Sequence, residues 1–286
     1  MSWRIEVSTE TIELSQARDR DALNRLSEAL SVPVFNLAIR FFGTPADAED
    51  EAQNALLHVL QVLPRFEHKS RFSTWCYRVV VNRFLNAKRK SFESITVDVG
   101  AQALDAGLEH HHRSGAYRGP DAEVLADEVK LSCTTALLVC LTRPLRMAYI
   151  LGEILGLNAP EGASVLEIEP AAFRKRLSMA RKEVREFLGP RCGWLDTTNP
   201  CRCDHQIDYD LKIGWIARDR LKYAQAKTAT TRAKERLSSA FDAASLYRTH
   251  PTYEAPASLK ETLQVALGTL QSLGDELDRI EQTDPH

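Results

Sequence analysis

Three thiols and an imidazole crowd one short stretch of the chain. In "CGWLDTTNPCRCDH", Cys192, Cys201, Cys203 and His205 stand at a C-x8-C-x-C-x-H spacing. Soft thiolate and imidazole donors in that number satisfy tetrahedral zinc, and the turn expected at Asn199-Pro200 brings the later cysteines back towards the first. The CxC pair equally suits copper(I), a thiol–disulfide couple, or three reduced thiols in a metal-free turn; the spacing leaves all of these open. Cys76, Cys133 and Cys140 sit inside apolar helical patterns and read as small core residues rather than ligands. A second chemistry lies upstream. "PAAFRKRLSMARKEVREFL" sets Arg174, Lys175, Arg176, Arg181, Lys182 and Arg185 against only Glu183 and Glu186, in a chain whose net charge is -2. Guanidinium groups suit guanine edges and ammonium groups suit phosphates, so this helix fits a major groove. A basic surface helix facing an acidic partner protein is the plainer alternative. No phosphate-binding glycine loop or Ser/His/Asp arrangement is evident, and catalysis is not expected.

Helices must position these groups. The chain has 286 residues, 44% hydrophobic and 27% charged, as in a soluble globular protein of about two domains. It lacks a run of about 18 apolar residues, and its first residues lack a basic start with an apolar core, so neither a membrane span nor a signal peptide is expected and the cytoplasm is the expected location. Helical periodicity dominates. Between Asp19 and Phe42, Leu23, Leu26, Leu30, Val34, Leu37 and Phe41 recur at three and four, with Pro33 expected to kink or split the helix. Thr44 and Pro45 read as the N-cap and first residue of a helix to about Leu63, ended by Pro64. Ser73 reads as the cap of a helix carrying Trp75, Val79 and Phe84. Residues 1–18 read as an N-terminal extension, 19–90 as one helical unit, 91–120 as a flexible linker containing a solvated His110-His111-His112 run, and 121–188 as a second unit. Residues 189–286 read as an extension: the cysteine loop, then helices over about Ala217–Tyr247 and Ser258–Ile280. The last has Leu259, Leu263, Ala266, Leu270, Leu273, Leu277 and Ile280 in a heptad seam suited to an intramolecular hairpin.

"APEGASVLEIEPAAFRKRLSMARKEV" has the pattern of a helix-turn-helix. Ala163 and Leu166 face the core, Ile168 plugs the turn, Pro170 starts the second helix and Phe173 and Leu177 point inward. The stretch "GTPADAEDEAQNALLHVLQVLPRFEHKSRFSTWCYRVVVNRFLNAKRK" resembles region two of bacterial sigma factors of the extracytoplasmic-function group, through Asp47, Ala48, Glu49, Asp50, Gln53, Phe66, Phe72, Thr74, Trp75, Tyr77, Arg78 and Asn82. "LTRPLRMAYILGEILGLNAPEGASVLEIEPAAFRKRLSMARKEV" resembles region four of that group. The resemblance covers about Asp19 to Leu188 and implies an all-α protein: two helical sigma domains joined by a flexible linker, followed by a helical extension.

The resemblance further implies that Asp47, Glu49, Asp50, Glu51 and Gln53 dock on core RNA polymerase. Phe72, Ser73, Arg78, Asn82 and Arg83 would serve the melted promoter element, Lys88, Arg89 and Lys90 its phosphates, and Ala171, Arg174, Lys175, Arg176 and Arg181 the upstream duplex. Trp75 reads as core. Promoter DNA and core polymerase are the implied partners, with an anti-sigma protein as a further candidate and no membrane. Three departures stand out: Glu167 where the group usually has Gly, Gly162 in place of an apolar residue, and Phe173 in place of Val. The extra tail reads as regulatory. Two other readings are a conventional DNA-binding regulator, which leaves the Trp75 segment unexplained, and a metal- or redox-responsive interaction protein.

Overall fold

Asp19 accepts a hydrogen bond from the Ala22 N–H at 2.8 Å and so starts the longest helix of the first helical unit, Arg20–Phe42. The computed structural model describes residues 5–90, 93, 96–224 and 242–268, and these are helices and connections with no strand longer than the single bridge between Cys192 and Cys201. In chain order the helices are α1 (Thr9–Gln16), α2 (Arg20–Phe42), α3 (Pro45–Val62), α4 (Phe72–Asn86), α5 (Val97–Ser114), α6 (Ala122–Cys140), α7 (Arg143–Tyr149), α8 (Ala159–Leu166), α9 (Pro170–Leu188), α10 (Cys203–Lys212) and α11 (Ala243–Arg248). A π-helical turn, Ile150–Ile154, extends α7, and residues 257–268 form a closing helix. No helix among the described residues is long and apolar enough to cross a membrane.

Pro33 does not split α2: the helix runs through it, with Leu30, Val34 and Leu37 fully buried around the missing donor. Thr44 caps α3 and Pro45 opens it, as expected. Ser73 is not the cap of α4; the helix begins at Phe72, and Arg71 in the cap position makes no side-chain bond. Its buried face is Cys76, Tyr77, Val80, Val81 and Phe84, with Trp75 and Val79 half-buried beside it.

The expected flexible linker instead carries α5. Val97, Ala101, Leu104 and Leu108 make a stripe at helical spacing, and the helix packs on α10 and α6. Of the helix expected over Ala217–Tyr247, the described residues are helical only from Ala243, in α11; residues 217–224 are irregular, with Glu128 capturing the backbone N–H groups of Lys222, Tyr223 and Ala224. Of the heptad seam, Leu259 and Leu263 are buried; Leu270, Leu273, Leu277 and Ile280 lie outside the described residues.

Between α8 and α9 the backbone turns through Glu167 at φ 52 and ψ 44. That left-handed conformation is what glycine would occupy without strain. The other two departures compensate each other. A Cβ on Gly162 would lie 2.3 Å from the ring of Phe173, which is fully buried. The larger residue on α9 fills the room vacated by the smaller one on α8. Gly162→Ala alone is therefore expected to cost about 1–3 kcal/mol by overpacking, and pairing it with Phe173→Val to recover most of that loss in a urea melt.

One apolar core runs through both helical units and the tail. It contains Leu30 and Phe41 of α2, Phe84 of α4, Tyr149 and Ile150 of the α7 segment, Phe173 of α9, and Tyr247, Leu259 and Leu263 of the tail.

Candidate nucleic-acid interface

The segment expected to meet melted DNA is anchored by aromatics. Phe72 is buried against Phe66 at 5.5 Å and stacks on Trp75 at 5.8 Å, so it supports the loop before α4 rather than lying open. Ser73 is half-buried beside it; Arg83, Lys88 and Arg89 are exposed. Arg78 and Asn82 face α8. Arg78 Nε donates to the Ser164 carbonyl and Nη2 to Ser164 Oγ, both at 3.2 Å, while Nη1 lies 3.9 Å from Glu167 Oε1. Asn82 Nδ2 donates to Glu167 Oε2 at 2.9 Å. The residue that departs from glycine in the turn thus receives both side chains of the other unit.

On α9, Ala171, Arg174, Lys175 and Arg185 are exposed and Arg176 is half-buried. Arg181 is engaged: its guanidinium pairs with the buried carboxylate of Glu153, which Arg248 of α11 also contacts at 3.3 Å. Arg248 Nε donates to the Glu153 carbonyl at 2.7 Å. The tail therefore touches the flank of the basic helix through a shared anion.

The acidic face of α3 is divided. Asp50 is exposed and Gln53 half-buried. Asp47 accepts from Thr44 Oγ1 at 2.7 Å within the helix cap. Glu51 is only 8% exposed and pairs with Lys90 at 3.0 Å, while Asp47 lies 3.6 Å from the same ammonium. Glu51 points inward because it compensates Lys90, whose pKa is raised first by the hydrogen bond to Glu51. Lys90 is thus engaged with α3. Glu49 accepts from Ser258 at the start of the closing helix.

Residues that sequence reasoning passed over hold the two units together. Arg143 caps the C-terminus of α4, donating to the carbonyls of Phe84, Leu85, Ala87 and Lys88 and to Glu93. Carbonyls at a helix end lack the full set of partners found inside the helix, and a fork of donors stabilises them. Arg146, 2% exposed, reaches the carbonyls of Phe41, Val139 and Leu141 and also Glu93. Glu93 balances both guanidiniums; burial would raise its pKa, but the bonds from Arg143, the Lys90 N–H and Arg146 hold it at about 2.

The tail is held in the same way. Asn36 in α2 makes a two-point contact with Tyr253, accepting from its N–H at 2.9 Å and donating to its carbonyl at 2.6 Å. Arg40, one turn on, donates to the Pro251 carbonyl at 3.3 Å. On α6, Thr134 Oγ1 is 2.7 Å from His250 Nε2. Glu128, fully buried, accepts the N–H groups of residues 222–224 at 2.7–2.9 Å, and Tyr223 donates its hydroxyl to the Gly43 carbonyl. The signal in the sequence is a polar residue on an otherwise apolar helical stripe: a buried Asn, Arg or Glu requires a partner, though the stripe does not say which.

Of the expected metal ligands, Cys192 and Cys201 face each other across the bridge, and Cys203 begins α10. His205 Nε2 lies 3.7 Å from Asp204 Oδ2. Among the described residues, no three His, Cys, Asp or Glu side chains are grouped as an assembled chelate. His110 of the histidine run lies against the ring of Tyr209.

Residues 26–91 match the family model described as Sigma-70 region 2. The chain is similar to the RNA polymerase sigma-H factor of Pseudomonas aeruginosa, 27% identical over 189 residues that cover 65% of this chain and 95% of that protein. It is also similar to the ECF RNA polymerase sigma-E factors of Escherichia coli strain K12 and Salmonella typhimurium strain LT2. Each is 28% identical over 185 residues, 63% of this chain and 93% of theirs. The rest of this chain lies outside those matches.

Proposed function

We propose, for a chain that belongs to the bacterial RNA polymerase sigma factors of the extracytoplasmic-function type, that its free form is closed and held so by its own tail. As a sigma factor it acts in transcription initiation with core RNA polymerase and promoter DNA, and it is not an enzyme. The exposed residues Arg174 and Lys175, with Ala171, would read upstream duplex, and Arg83, Lys88 and Arg89 would carry phosphate contacts near the melted element. Arg78 and Asn82 would join them only after α4 leaves α8.

The observation that carries the closed reading is the pairing of Arg78 and Asn82 with Ser164 and Glu167. A region-two side chain cannot bind a single strand while it is bonded to region four. The tail reinforces this state by gripping α2 through Asn36 and Arg40 and α6 through Glu128 and Thr134. An anti-sigma protein would compete with the tail for α2 and α3.

Run-off transcription with core polymerase tests both levels. Glu167→Gly places a residue at ease in the left-handed turn and removes the acceptor for Asn82 and the anion beside Arg78. The substitution is expected to keep the melting temperature and to raise promoter-specific transcript several-fold, about the effect of losing one partly exposed charge-assisted contact of roughly 1 kcal/mol. Arg78→Ala with Glu167→Gly removes the Ser164 bonds as well, and equal transcript from wild type and both variants removes the closed-state reading. No promoter-specific transcript from any of the three removes promoter recognition itself.

A further inference from the structure

The tail crosses α6 and α2 on a buried histidine. His250 follows α11, is 7% exposed, and donates its backbone N–H to the Tyr247 carbonyl at 3.3 Å. Its imidazole lies beside the Tyr247 ring, 5.7 Å between centroids, and its Nε2 is 2.7 Å from Thr134 Oγ1 of α6. The Thr134 hydroxyl has a single proton, and its 2.7 Å bond to the Lys130 carbonyl uses it. The hydrogen-bond network thus assigns the ring proton to Nε2, which donates to Thr134, and the lone pair to Nδ1. The residues that follow are pinned to α2, Pro251 by Arg40 and Tyr253 by Asn36. His250 therefore sits where the tail meets both helices.

A second proton on this ring would meet positive charge. The charged groups that act on it are both cations, Arg40 of α2 and Lys130 of α6. Lys130 is itself paired with Asp127 at 3.0 Å. Glu128, the buried carboxylate of α6, is committed to the N–H groups of residues 222–224. Tyr247 of α11 stays neutral, because burial pushes its hydroxyl well above the ordinary value. Burial first, then Arg40 and Lys130, hold the imidazole well below the usual histidine range.

We propose that His250 is an acid-sensitive latch: the tail stays docked on α6 and α2 while this imidazole is neutral, and its protonation releases residues 242–268. Once exposed to water the ring is an ordinary histidine, which takes up a proton near about pH 6.5. Docked, it disfavours that proton, so below about pH 6.5 the docked state binds fewer protons than the released one. Docking is complete above that pH and weakens as pH falls, by about tenfold between about pH 7.5 and pH 5.5. Glu93, held at about 2, titrates below this window. The latch rests on the reading that the tail holds the closed form, and it adds the condition under which that hold loosens.

Amide hydrogen exchange of the full-length protein, with rates corrected for the pH dependence of chemical exchange, tests the latch. In wild type, opening of α11 and of residues 257–268 is expected to rise about tenfold from about pH 7.5 to pH 5.5, while α2 and α9 change little. His250→Gln keeps a donor for Thr134 and cannot titrate, so its tail is expected to change less than about twofold. If His250→Gln no longer docks, the wild-type ring decides: its titration midpoint, read by NMR, is expected at least about one unit below the ordinary value of about 6.5. Three results would overturn the latch alone: a protected wild-type tail that does not respond to pH, equal responses in wild type and His250→Gln, or an ordinary midpoint for the docked ring. A wild-type tail without protection at any pH would overturn the latch together with the closed-state reading, so the two failures are distinguishable.

Discussion

Arg146→Ala is expected to lower the free energy of unfolding by about 3–5 kcal/mol, the cost of removing one partner from a buried ionic cluster. The side chain is 2% exposed and closes two helix ends at once, that of α2 through the Phe41 carbonyl and that of α6 through the carbonyls of Val139 and Leu141. Deletion leaves those carbonyls without this donor and leaves Glu93, whose side chain is 3% exposed, with Arg143 and the Lys90 N–H alone. Its guanidinium also lies over the Phe41 ring at 5.0 Å, so packing is lost with the charge. Arg146→Lys is expected to recover less than half of the loss, because an ammonium cannot present the planar fork that reaches several carbonyls. Urea unfolding of the three proteins checks this; a change below about 1 kcal/mol for Arg146→Ala would mean that the cluster does not join the units.

The same cluster sets an acid limit. Glu93 sits at about 2 in the folded protein against an ordinary 4.5. A carboxylate depressed on folding contributes stability that is complete above its unfolded pKa and is lost as pH falls through the folded one. Wild-type stability is therefore expected to decline from about pH 5 towards pH 2, with a shallower slope in Glu93→Gln, which starts lower.

How much of this was legible in the sequence differs by element. The α8–α9 pair is readable because its signals are local: Ala163 and Leu166 inward, Pro170 at the first turn, and Phe173 and Leu177 four apart. Glu167, Gly162 and Phe173 were visible as departures, and their geometry gives each a physical role. The closed arrangement was not legible. Asn36 and Tyr253 are 217 residues apart, and no local pattern records that a buried amide pairs with a distant backbone. Periodicity failed for α5 because Gly100, Gly107 and the histidines interrupt a stripe that is narrow but sufficient once α10 lies on it. Glu51 looked like its acidic neighbours; only the fold places Lys90 against it.

Glu128→Ala is expected to free the tail without unfolding the sigma units. Glu128 is fully buried, and its carboxylate is the acceptor for three consecutive N–H groups, those of Lys222, Tyr223 and Ala224. Bonds from backbone donors to a charged group are worth about 1.5–3 kcal/mol each, so losing three exceeds what a short surface segment gains elsewhere. Segment 215–224 has an alternative to staying unsatisfied: it can leave and be hydrated. The cost is then capped at the free energy of docking, and the helices beneath remain paired through Arg143, Arg146 and Glu93. Amide exchange in that segment is expected to accelerate at least about a hundredfold, the equivalent of about 3 kcal/mol, while exchange in α2 and α9 changes little. With Tyr223 withdrawn from Gly43, the turn into α3 is uncovered and binding of core polymerase is expected to strengthen. A tail that merely supports the fold would behave differently: stability and polymerase binding would fall together, and exchange would rise across α6. The two outcomes separate restraint from scaffolding in one variant, because only restraint couples a looser tail to a more active protein.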